Sequence, residues 1–331
     1  MKIVIPDDYQ DVIDRLACYD LLQGHDMVRY REPAVDEAQL VERLHPAEVV
    51  VAIRERVDFN RALIERLPNL RLIALVGRAA TTIDYAACAD HNILVTTGAS
   101  NSPTAPAELT VALMVASRRN IVVEAERMRR GEWPCTLSHR LSGSTLGIFG
   151  LGNIGALVAR AGAGMGMHIL AWGQETSARR AAEAGYDFAA SKEDLFRRAD
   201  VLSLHVRLRP ETRGIVGPAE LALMKPTALL INTSRAELIQ PGALLAALQA
   251  GRPGYAAVDV YEQEPIMGGN HPFLSMPNVV CTPHLGWAEW DNFELYFREA
   301  FEQIVAYARG ESLRLAPALG VRSPGAAGRK V

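Results

Sequence analysis

Short, β-branched apolar runs alternate with helical stretches along nearly the whole chain, and this alternation restricts the fold more than any other feature. In the N-terminal part, buried strands are predicted at residues 3–5, 49–53, 72–76 and 93–96. Between them, residues 37–44 and 61–67 carry apolar side chains at helical spacing. Strands that alternate with helices in this way are parallel and are covered by helices on both faces of the sheet. The pattern therefore predicts an α/β fold.

A second series of the same kind begins at Thr145. Its strands are predicted at residues 146–149, 168–172, 201–205, 228–232, 255–260 and 279–281. Ser191 followed by Asp194 is typical of a helix N-terminal cap. After Pro283 the pattern becomes helical again over residues 291–308, and the Gly- and Ala-rich residues 323–331 predict a loose tail.

A breaker cluster rich in Pro and Ser, at residues 102–106, separates the two series, and a helical stretch follows it. Residues 108–128 predict one long helix with its charged side chains in water. Those side chains are Arg118, Arg119, Glu124, Glu126 and Arg127. Such a helix joins two domains, contacts a second copy of the chain, or is simply a solvated surface.

The composition sets limits on the class of protein. A length of 331 residues predicts two domains of about 150 residues each, and 49% hydrophobic residues suffice for their cores. Lys and Arg number 35 against 38 Asp and Glu, which leaves no cationic excess for a nucleic acid. The four cysteines form no Cys-x-x-Cys pair, which argues against a disulfide scaffold or a metal site. With neither a signal peptide nor a membrane span in the sequence, we expect a cytoplasmic protein.

The most specific motif is the glycine-rich turn at Gly150, Gly152 and Gly155, which lies between a predicted strand and a predicted helix. The first glycine permits the tight turn, the second lets a pyrophosphate approach the backbone, and the third allows close helix packing. The N–H groups at the helix N-terminus, where Asn153 and Ile154 stand, bind phosphate oxygens. This context predicts a dinucleotide site.

The position that recognises the ribose is unusual. The next strand ends at Gly173, where an acidic residue normally accepts the ribose hydroxyls, and Glu175 follows two residues later. Loss of the acid would admit a 2′-phosphate, and Arg179 or Arg180 stands close enough in sequence to pair with one. Because no arginine immediately follows Gly173, the sequence favours NAD slightly over NADP.

Three polar residues follow predicted strands of the second series, namely Arg235, Glu264 and His284. Taken singly, each residue also fits an ordinary structural role, as a surface arginine, a turn carboxylate or a packed histidine. Ligands of an open α/β sheet bind beyond the carboxyl ends of its strands, so all three side chains can reach one crevice. Their placement downstream of a dinucleotide turn predicts a catalytic set.

At these residues the chain resembles the D-isomer-specific 2-hydroxyacid dehydrogenases. The motifs that carry the resemblance lie at residues 150–155, 200–205, 221–226, 229–235, 259–265 and 282–286. The resemblance implies two doubly wound parallel-sheet domains, with a Rossmann cofactor domain inserted into a flavodoxin-like substrate domain. The implied boundaries are residues 1–101 plus 289–331 for the substrate domain and 102–288 for the cofactor domain. It further implies a homodimer that forms through the cofactor domain.

The resemblance also implies the roles of the catalytic set. His284 would donate the proton when a 2-oxo acid is reduced and would accept it when the D-2-hydroxy acid is oxidised. Glu264 would orient the imidazole and favour its protonated form. Arg235 would bind the substrate carboxylate and polarise the carbonyl, a task that suits a planar guanidinium. No metal ion is expected.

For the cofactor, the resemblance implies contacts from Thr233, Ser234, Asp259 and Gly286. For the substrate, it implies that the loop of Arg78 and Ala79 binds the carboxylate through backbone N–H groups, with a weaker case for Arg54. Ala79 stands where the family commonly has a glycine, and Arg78 is as consistent with a solvated side chain as with an acidic substrate. Trp287 and Trp290 either narrow the pocket or pack at a domain boundary.

Two other functions stay open at this stage. Nucleotide-sensing co-repressors share this fold and these motifs, so a dinucleotide-binding scaffold with little turnover is the main alternative. A relative that acts on phosphite or formate is the second. The identity of the acid cannot be read from the sequence, and glyoxylate, hydroxypyruvate and bulkier oxo acids all remain candidates.

Overall fold

The computed structural model describes residues 1–78 and 80–316, and the chain divides into two compact units. The first unit comprises Met1–Asn101 together with the segment that starts at Trp290, and the second comprises Ser102–Glu289. The chain thus leaves the first unit, builds the whole second unit, and returns. Residues 323–331, for which a loose tail is predicted, lie outside the described residues.

The described residues form twelve strands and eleven α-helices, besides short 3-10 helices. The strands are β1 Lys2–Ile5, β2 Asp26–Arg29, β3 Val49–Ile53, β4 Leu72–Val76, β5 Leu94–Thr96, β6 Thr145–Phe149, β7 His168–Trp172, β8 Asp187–Phe188, β9 Val201–Leu204, β10 Leu229–Asn232, β11 Tyr255–Val258 and β12 Val279–Cys281. The helices are α1 Glu37–Leu44, α2 Arg61–Ile64, α3 Tyr85–Asp90, α4 Thr104–Arg118, α5 Ile121–Arg129, α6 Asn153–Gly164, α7 Glu175–Ala184, α8 Lys192–Arg198, α9 Pro218–Leu223, α10 Ala243–Gln249 and α11 Trp290–Ala308.

The first unit is built on a five-stranded parallel sheet in the order β2-β1-β3-β4-β5. Every residue of β3 and β4 is buried, which explains why both strands are continuous apolar runs in the sequence. Helix α11 completes this unit, with Phe297 and Phe301 fully buried in its core. The C-terminal helix thus packs within the first unit.

The second unit is built on a seven-stranded parallel sheet in the order β12-β11-β10-β9-β6-β7-β8. The strand order reverses between β6 and β9, which places the crevice for ligands at the carboxyl ends of these two strands. One face of β6 packs against α6 through Ile148, Val158 and Ala159. The two parallel sheets confirm the predicted fold class.

Helix starts follow side-chain caps that the sequence supplies. Asp36 accepts a hydrogen bond of 2.8 Å from the N–H of Gln39 at the start of α1, and Asn60 caps α2 in the same way. Ser191 caps α8 by accepting from the N–H of Asp194 at 3.2 Å, as the sequence predicts.

The long helix predicted over residues 108–128 is wrong, because α4 ends at Arg118 and a separate helix α5 begins at Ile121. Asn120 between them adopts φ +53, a left-handed conformation that ends a helix and that asparagine tolerates. Arg118, expected in water, is buried and donates hydrogen bonds of 2.7 and 2.6 Å to the carbonyls of Thr227 and Asp200. The hydrogen bonds to these carbonyls outweigh the cost of removing the charged guanidinium from water.

Two strands of the sheets are absent from the sequence prediction. Strand β2 contains Asp26 and Arg29, and β8 consists of the exposed pair Asp187 and Phe188. Both lie at sheet edges, where one side faces solvent and an apolar run is not required.

Over residues 1–78 and 80–316, no helix is both long enough and apolar enough to cross a membrane. The same residues contain no group of three or more His, Cys, Asp and Glu side chains placed to hold a metal ion.

Candidate active site

The side chains of His284 and Glu264 form a close pair at the carboxyl edge of the second sheet. Nδ1 of His284 lies 2.6 Å from Oε2 of Glu264, while Oε1 of Glu264 accepts a hydrogen bond of 2.9 Å from the N–H of Tyr261. The carboxylate is therefore held at one oxygen by the backbone and contacts the imidazole with the other. A histidine oriented in this way has one nitrogen fixed and can use Nε2 for proton transfer.

The loop that carries His284 is fixed by the carboxylate of Asp259, which is fully buried. Its Oδ1 accepts hydrogen bonds from the Thr282 hydroxyl at 2.6 Å and from the Leu285 N–H at 2.7 Å. Its Oδ2 accepts from the Gly286 N–H at 2.8 Å. Burial raises the pKa of Asp259, and these three hydrogen bonds oppose that shift. In the structure this carboxylate positions residues 282–286.

Arg235 lies shortly after β10, the strand next to β11 in the sheet, with Thr233 and Ser234 between them. The side chain of Asn232 brackets its loop, since Nδ2 donates to the Arg235 carbonyl at 2.9 Å and Oδ1 accepts from the Ser234 N–H at 3.1 Å. The Ser234 hydroxyl donates to the Leu204 carbonyl at 2.7 Å, and the Thr233 hydroxyl lies 2.7 Å from that of Thr110. The segment is thus held on both sides.

The catalytic candidates therefore come from three adjacent strands, because Arg235 follows β10, Glu264 follows β11 and His284 follows β12. The structure brings Glu264 and His284 into contact and places Arg235 at the end of the neighbouring strand. Sequence reasoning missed Asn232, although a polar residue at the last position of a buried strand is a usable signal.

The glycine turn joins β6 to α6 at the point where the strand order reverses. Gly150 adopts φ +97, and a Cβ there would lie 2.9 Å from the carbonyl oxygen of His205. A Cβ on Gly155 would collide with the carbonyl oxygen of Gly150, so the third glycine is required for the helix to approach the turn. Gly152 faces open space, and α6 begins directly after it at Asn153 and Ile154. A phosphate group can approach the helix N-terminus at this point.

His205 follows β9 and lies beside this turn, a position to which sequence reasoning assigned no role. The ring nitrogen Nε2 lies 2.8 Å from the Ser203 hydroxyl. Although the residue keeps some exposed surface, desolvation of the ring lowers the pKa of His205 to about 4. The imidazole is therefore neutral at pH 7.

At the end of β7, Gly173 leaves the backbone close to Ser177, whose hydroxyl accepts a hydrogen bond of 3.2 Å from the Leu151 N–H. A Cβ at Gly173 would lie 2.7 Å from that hydroxyl oxygen, so a larger residue needs Ser177 to shift. Glu175 is exposed in the first turn of α7. Arg180 donates to the Leu151 carbonyl at 3.2 Å and to Oδ1 of Asn153 at 3.4 Å.

The expected substrate residues lie in the first unit, at the carboxyl ends of β3 and β4. Arg54 follows β3 with φ +54, and its Nη1 would lie 2.9 Å from a Cβ on Gly77, which follows β4. The side chain of Arg54 is thus packed over the Gly77 backbone, whereas Arg78 is exposed. Ala79 lies outside the described residues. Trp287 is buried in the second unit, and Trp290 is half exposed at the start of α11.

Comparison with known proteins places this geometry in a family. The family model described as D-isomer specific 2-hydroxyacid dehydrogenase, NAD binding domain, matches residues 111–286. Glyoxylate reductase from Aeropyrum pernix is 34% identical over 310 residues, which cover 90% of this chain and 91% of that protein.

The chain belongs to the D-isomer-specific 2-hydroxyacid dehydrogenases. D-3-phosphoglycerate dehydrogenase from Methanocaldococcus jannaschii is 35% identical over 275 residues, or 82% of this chain and 52% of that protein, so this chain spans about half its length. The crystal structure of a phosphoglycerate oxidoreductase from Vibrio cholerae o395 superimposes with a TM-score of 0.90 at 47% identity, over 94% of this chain and 99% of the other. The predicted family is confirmed, and with it an oxidoreductase that has an NAD-binding domain.

Proposed function

We propose that the protein interconverts a small 2-oxo acid and the corresponding D-2-hydroxy acid by hydride transfer, with His284 as proton donor and acceptor. The observation that carries the proposal is the 2.6 Å contact between Nδ1 of His284 and Glu264 at the carboxyl edge of a sheet with a dinucleotide turn. Reduction of the carbonyl requires a proton on the oxygen while a hydride reaches the carbon. Since Glu264 occupies Nδ1, the proton moves through Nε2.

Arg235 is proposed to bind the substrate carboxylate and to polarise the adjacent carbonyl. A guanidinium presents parallel N–H groups that match a carboxylate, which an ammonium group cannot do. The hydrogen bonds from Asn232 and Ser234 fix the backbone on which this side chain stands. A fixed backbone limits the positions that the guanidinium can adopt before substrate arrives.

The residues present fit a dinucleotide, because Gly152 leaves open space at the N-terminus of the twelve-residue helix α6. Gly150, Gly152, Asn153, Ile154 and Gly155 would hold the pyrophosphate. When bound, the nicotinamide supplies the hydride for reduction and takes it back in oxidation.

The remaining cofactor contacts are proposed at the two ends of the dinucleotide. Thr233, Ser234, Asp259 and Gly286 would line the nicotinamide end. Gly173 would lie at the adenosine ribose.

NAD is proposed as the preferred dinucleotide. Arg180, one of the two arginines that could bind a 2′-phosphate, is hydrogen-bonded to the glycine turn, and the exposed Arg179 lies 3.8 Å from Glu183. Glu175, in the exposed first turn of α7, remains available to the ribose hydroxyls. We expect a higher kcat/KM with NADH than with NADPH.

In the first unit, the loop of Gly77, Arg78 and Ala79 is proposed to bind the substrate carboxylate through backbone N–H groups. Arg54, packed over Gly77, adds positive charge to that loop. Small oxo acids such as glyoxylate and hydroxypyruvate are the first candidates, and glyoxylate is in keeping with the name of the relative from Aeropyrum pernix.

The test is the oxidation of NADH and NADPH against a panel of 2-oxo acids, with His284→Asn as the inactive control. The expected result is turnover of at least one acid, with a product of D configuration wherever that product is chiral, and a loss of about 10²-fold or more in His284→Asn. Tight dinucleotide binding without turnover of any acid would refute the proposal and would favour a dinucleotide-sensing scaffold. Turnover of phosphite or formate instead of the oxo acids would also refute it.

A homodimer is proposed through the segment of α5 and the residues that follow it. None of the α5 side chains is buried, and the segment exposes Ile121, Met128, Trp133 and Leu137, the last two at 78% and 94%. Exposed large apolar side chains that are concentrated in one segment favour an interface there. The segment also carries charges of both signs, such as Glu126 and Arg129, which suits a two-fold contact with a second copy.

A cytoplasmic location is also proposed. All four cysteines are unpaired, which supports it.

A further inference from the structure

We propose that Glu299 on helix α11 is a positioning residue for substrate binding, acting through residues 97–100 on the Gly77–Arg78 loop. The inference rests on the proposed function, which gives that loop the substrate carboxylate. All the contacts that carry it lie within the first unit.

The Glu299 carboxylate receives hydrogen bonds from a short stretch of chain that follows β5. Its Oε2 accepts from the Ala99 N–H at 2.9 Å, and its Oε1 accepts from the Ser100 hydroxyl at 2.6 Å. The Ser100 N–H lies 3.2 Å from both oxygens. A Cβ on Gly98 would collide with Oε2, so the carboxylate also packs against the backbone of that glycine.

The same stretch of chain is hydrogen-bonded to the substrate loop on its other side. The Gly98 N–H donates to the Gly77 carbonyl at 2.7 Å. The Thr97 hydroxyl lies 2.5 Å from the Arg78 carbonyl oxygen and 3.1 Å from that of Gly77, and its single hydrogen goes to one of them. Residues 97–100 therefore lie between Glu299 and the loop and contact both.

Fixing these carbonyls also orients the donors of the loop. A peptide unit is planar and trans, so the N–H of Arg78 points opposite to the carbonyl of Gly77 in the same unit. With the Gly77 carbonyl held by the Gly98 N–H, the direction of the Arg78 N–H is set before the substrate binds. A preoriented donor binds a carboxylate with less loss of entropy than a mobile one.

The place of Glu299 in the chain adds a second consequence. The chain leaves the first unit directly after Ser100 and Asn101, and it returns at Trp290, the first residue of the helix that carries Glu299. The segment by which the chain returns continues directly into α11, and the segment by which it leaves is hydrogen-bonded to α11 through the Glu299 carboxylate. The loop, the exit segment and the return helix are thus connected by a continuous set of bonds.

The experiment compares steady-state kinetics of five single variants and one double variant with the wild-type enzyme, using the oxo acid that the panel identifies. Glu299→Leu removes both acceptors, whereas Glu299→Gln keeps one oxygen for the two N–H groups and can donate its amide to the Ser100 hydroxyl. Thr97→Val removes the hydroxyl at nearly constant shape, and Thr97→Ser restores it. Glu302→Leu, at an exposed position on the same helix, is the matched control.

We expect Glu299→Leu and Thr97→Val each to raise KM for the oxo acid about tenfold, with kcat within about threefold of wild type. The dissociation constant for NADH should not change, since the dinucleotide turn belongs to the second unit. Glu299→Gln and Thr97→Ser should stay within about threefold of the wild-type KM. The double variant Glu299→Leu with Thr97→Val should raise KM by less than the product of the two single effects, because both residues act through one segment.

Hydrogen exchange gives a readout that does not depend on turnover. Peptides that cover residues 72–78 and 94–101 should exchange faster in Glu299→Leu and Thr97→Val, and at the wild-type rate in Glu302→Leu. Unchanged KM and unchanged exchange in both variants would overturn the inference, as would equal losses in kcat and in NADH affinity. If Glu299→Leu does not fold, Thr97→Val carries the same test. Absence of turnover in the wild-type enzyme refutes the proposed function instead.

Discussion

Acidification should destabilise the second unit through His205, the neutral histidine beside the glycine turn. Desolvation lowers the pKa of His205 to about 4 in the folded protein, against about 6.5 in the unfolded chain. Between these two values the unfolded chain binds a proton that the folded protein excludes. Stability from this group is therefore complete above about pH 6.5 and is lost progressively as the pH falls toward 4.

The size of the effect follows from the gap between the two pKa values. A gap of about 2.5 pH units, at about 1.4 kcal/mol per unit, limits the total loss to about 3.5 kcal/mol. Between pH 7.5 and pH 5, where the folded protein still excludes the proton, the loss amounts to about 2 kcal/mol. Because His205 keeps some exposed surface, these figures are upper values.

The assay compares urea unfolding of the wild-type protein and of His205→Gln at several pH values from 5 to 7.5. Glutamine does not titrate, and its amide can still reach the Ser203 hydroxyl that lies 2.8 Å from Nε2. Exchange in peptides of β6 and β9 reports the second unit separately from the first, and His168→Gln on the exposed start of β7 controls for the loss of one histidine. We expect the wild-type protein to lose about 2 kcal/mol more than His205→Gln over this range. Equal losses in the two proteins would refute the reasoning.

Three further predictions concern the site and the assembly. Glu264→Gln should lower kcat by about 10²-fold with little change in NADH affinity, because the 2.6 Å contact that orients His284 is weakened. Stopped-flow measurement of hydride transfer tests the first effect, and fluorescence titration with NADH tests the second. An unchanged kcat would contradict the role of Glu264. Arg235→Lys should lower kcat/KM for the oxo acid by about 10²-fold, a cost of about 3 kcal/mol, because an ammonium group keeps the charge but lacks the paired N–H groups. A kcat/KM within threefold of wild type would contradict carboxylate binding by Arg235. Trp133→Ser combined with Leu137→Ser should shift the molar mass in light scattering from dimer to monomer, and an unchanged mass would exclude this segment as the interface.

The sequence predicts the sheets well where burial alone determines the pattern. Strands β3 and β4 begin and end at the predicted residues because parallel strands buried on both faces must be apolar throughout. Strands β7 and β12 also match their predicted bounds, although β7 begins at the exposed His168 and β12 is a half-buried edge strand. The edge strands β2 and β8 lack that requirement and leave no such pattern. The break at Asn120 depends on one backbone conformation, which helical periodicity cannot indicate.

The candidate site follows the same division. The residue types and spacings of Arg235, Glu264 and His284 are visible in the sequence, and the topology places them at three neighbouring strand ends. The hydrogen bonds that hold them are not visible, because Asp259 reaches residues 282–286 and Asn232 reaches the Arg235 loop only after the chain has folded. Such partners depend on side-chain directions in three dimensions rather than on periodicity.

Backbone conformation provides an independent indication of where function lies in this protein. Five described residues other than glycine have positive φ, and four of them, Asp11, Asn92, Asn120 and His284, are of the Asn, Asp and His types in which this conformation is enriched. The fifth is Arg54 at φ +54, and both Arg54 and His284 (φ +52) belong to the proposed site, each in its own unit. A strained residue costs about 1 kcal/mol or more and persists only where its surroundings hold it. For His284 the surroundings are known, since Asp259 binds the two N–H groups that follow it. The positive φ of His284 is thus held by the Asp259 carboxylate, in the loop that presents the imidazole to Glu264.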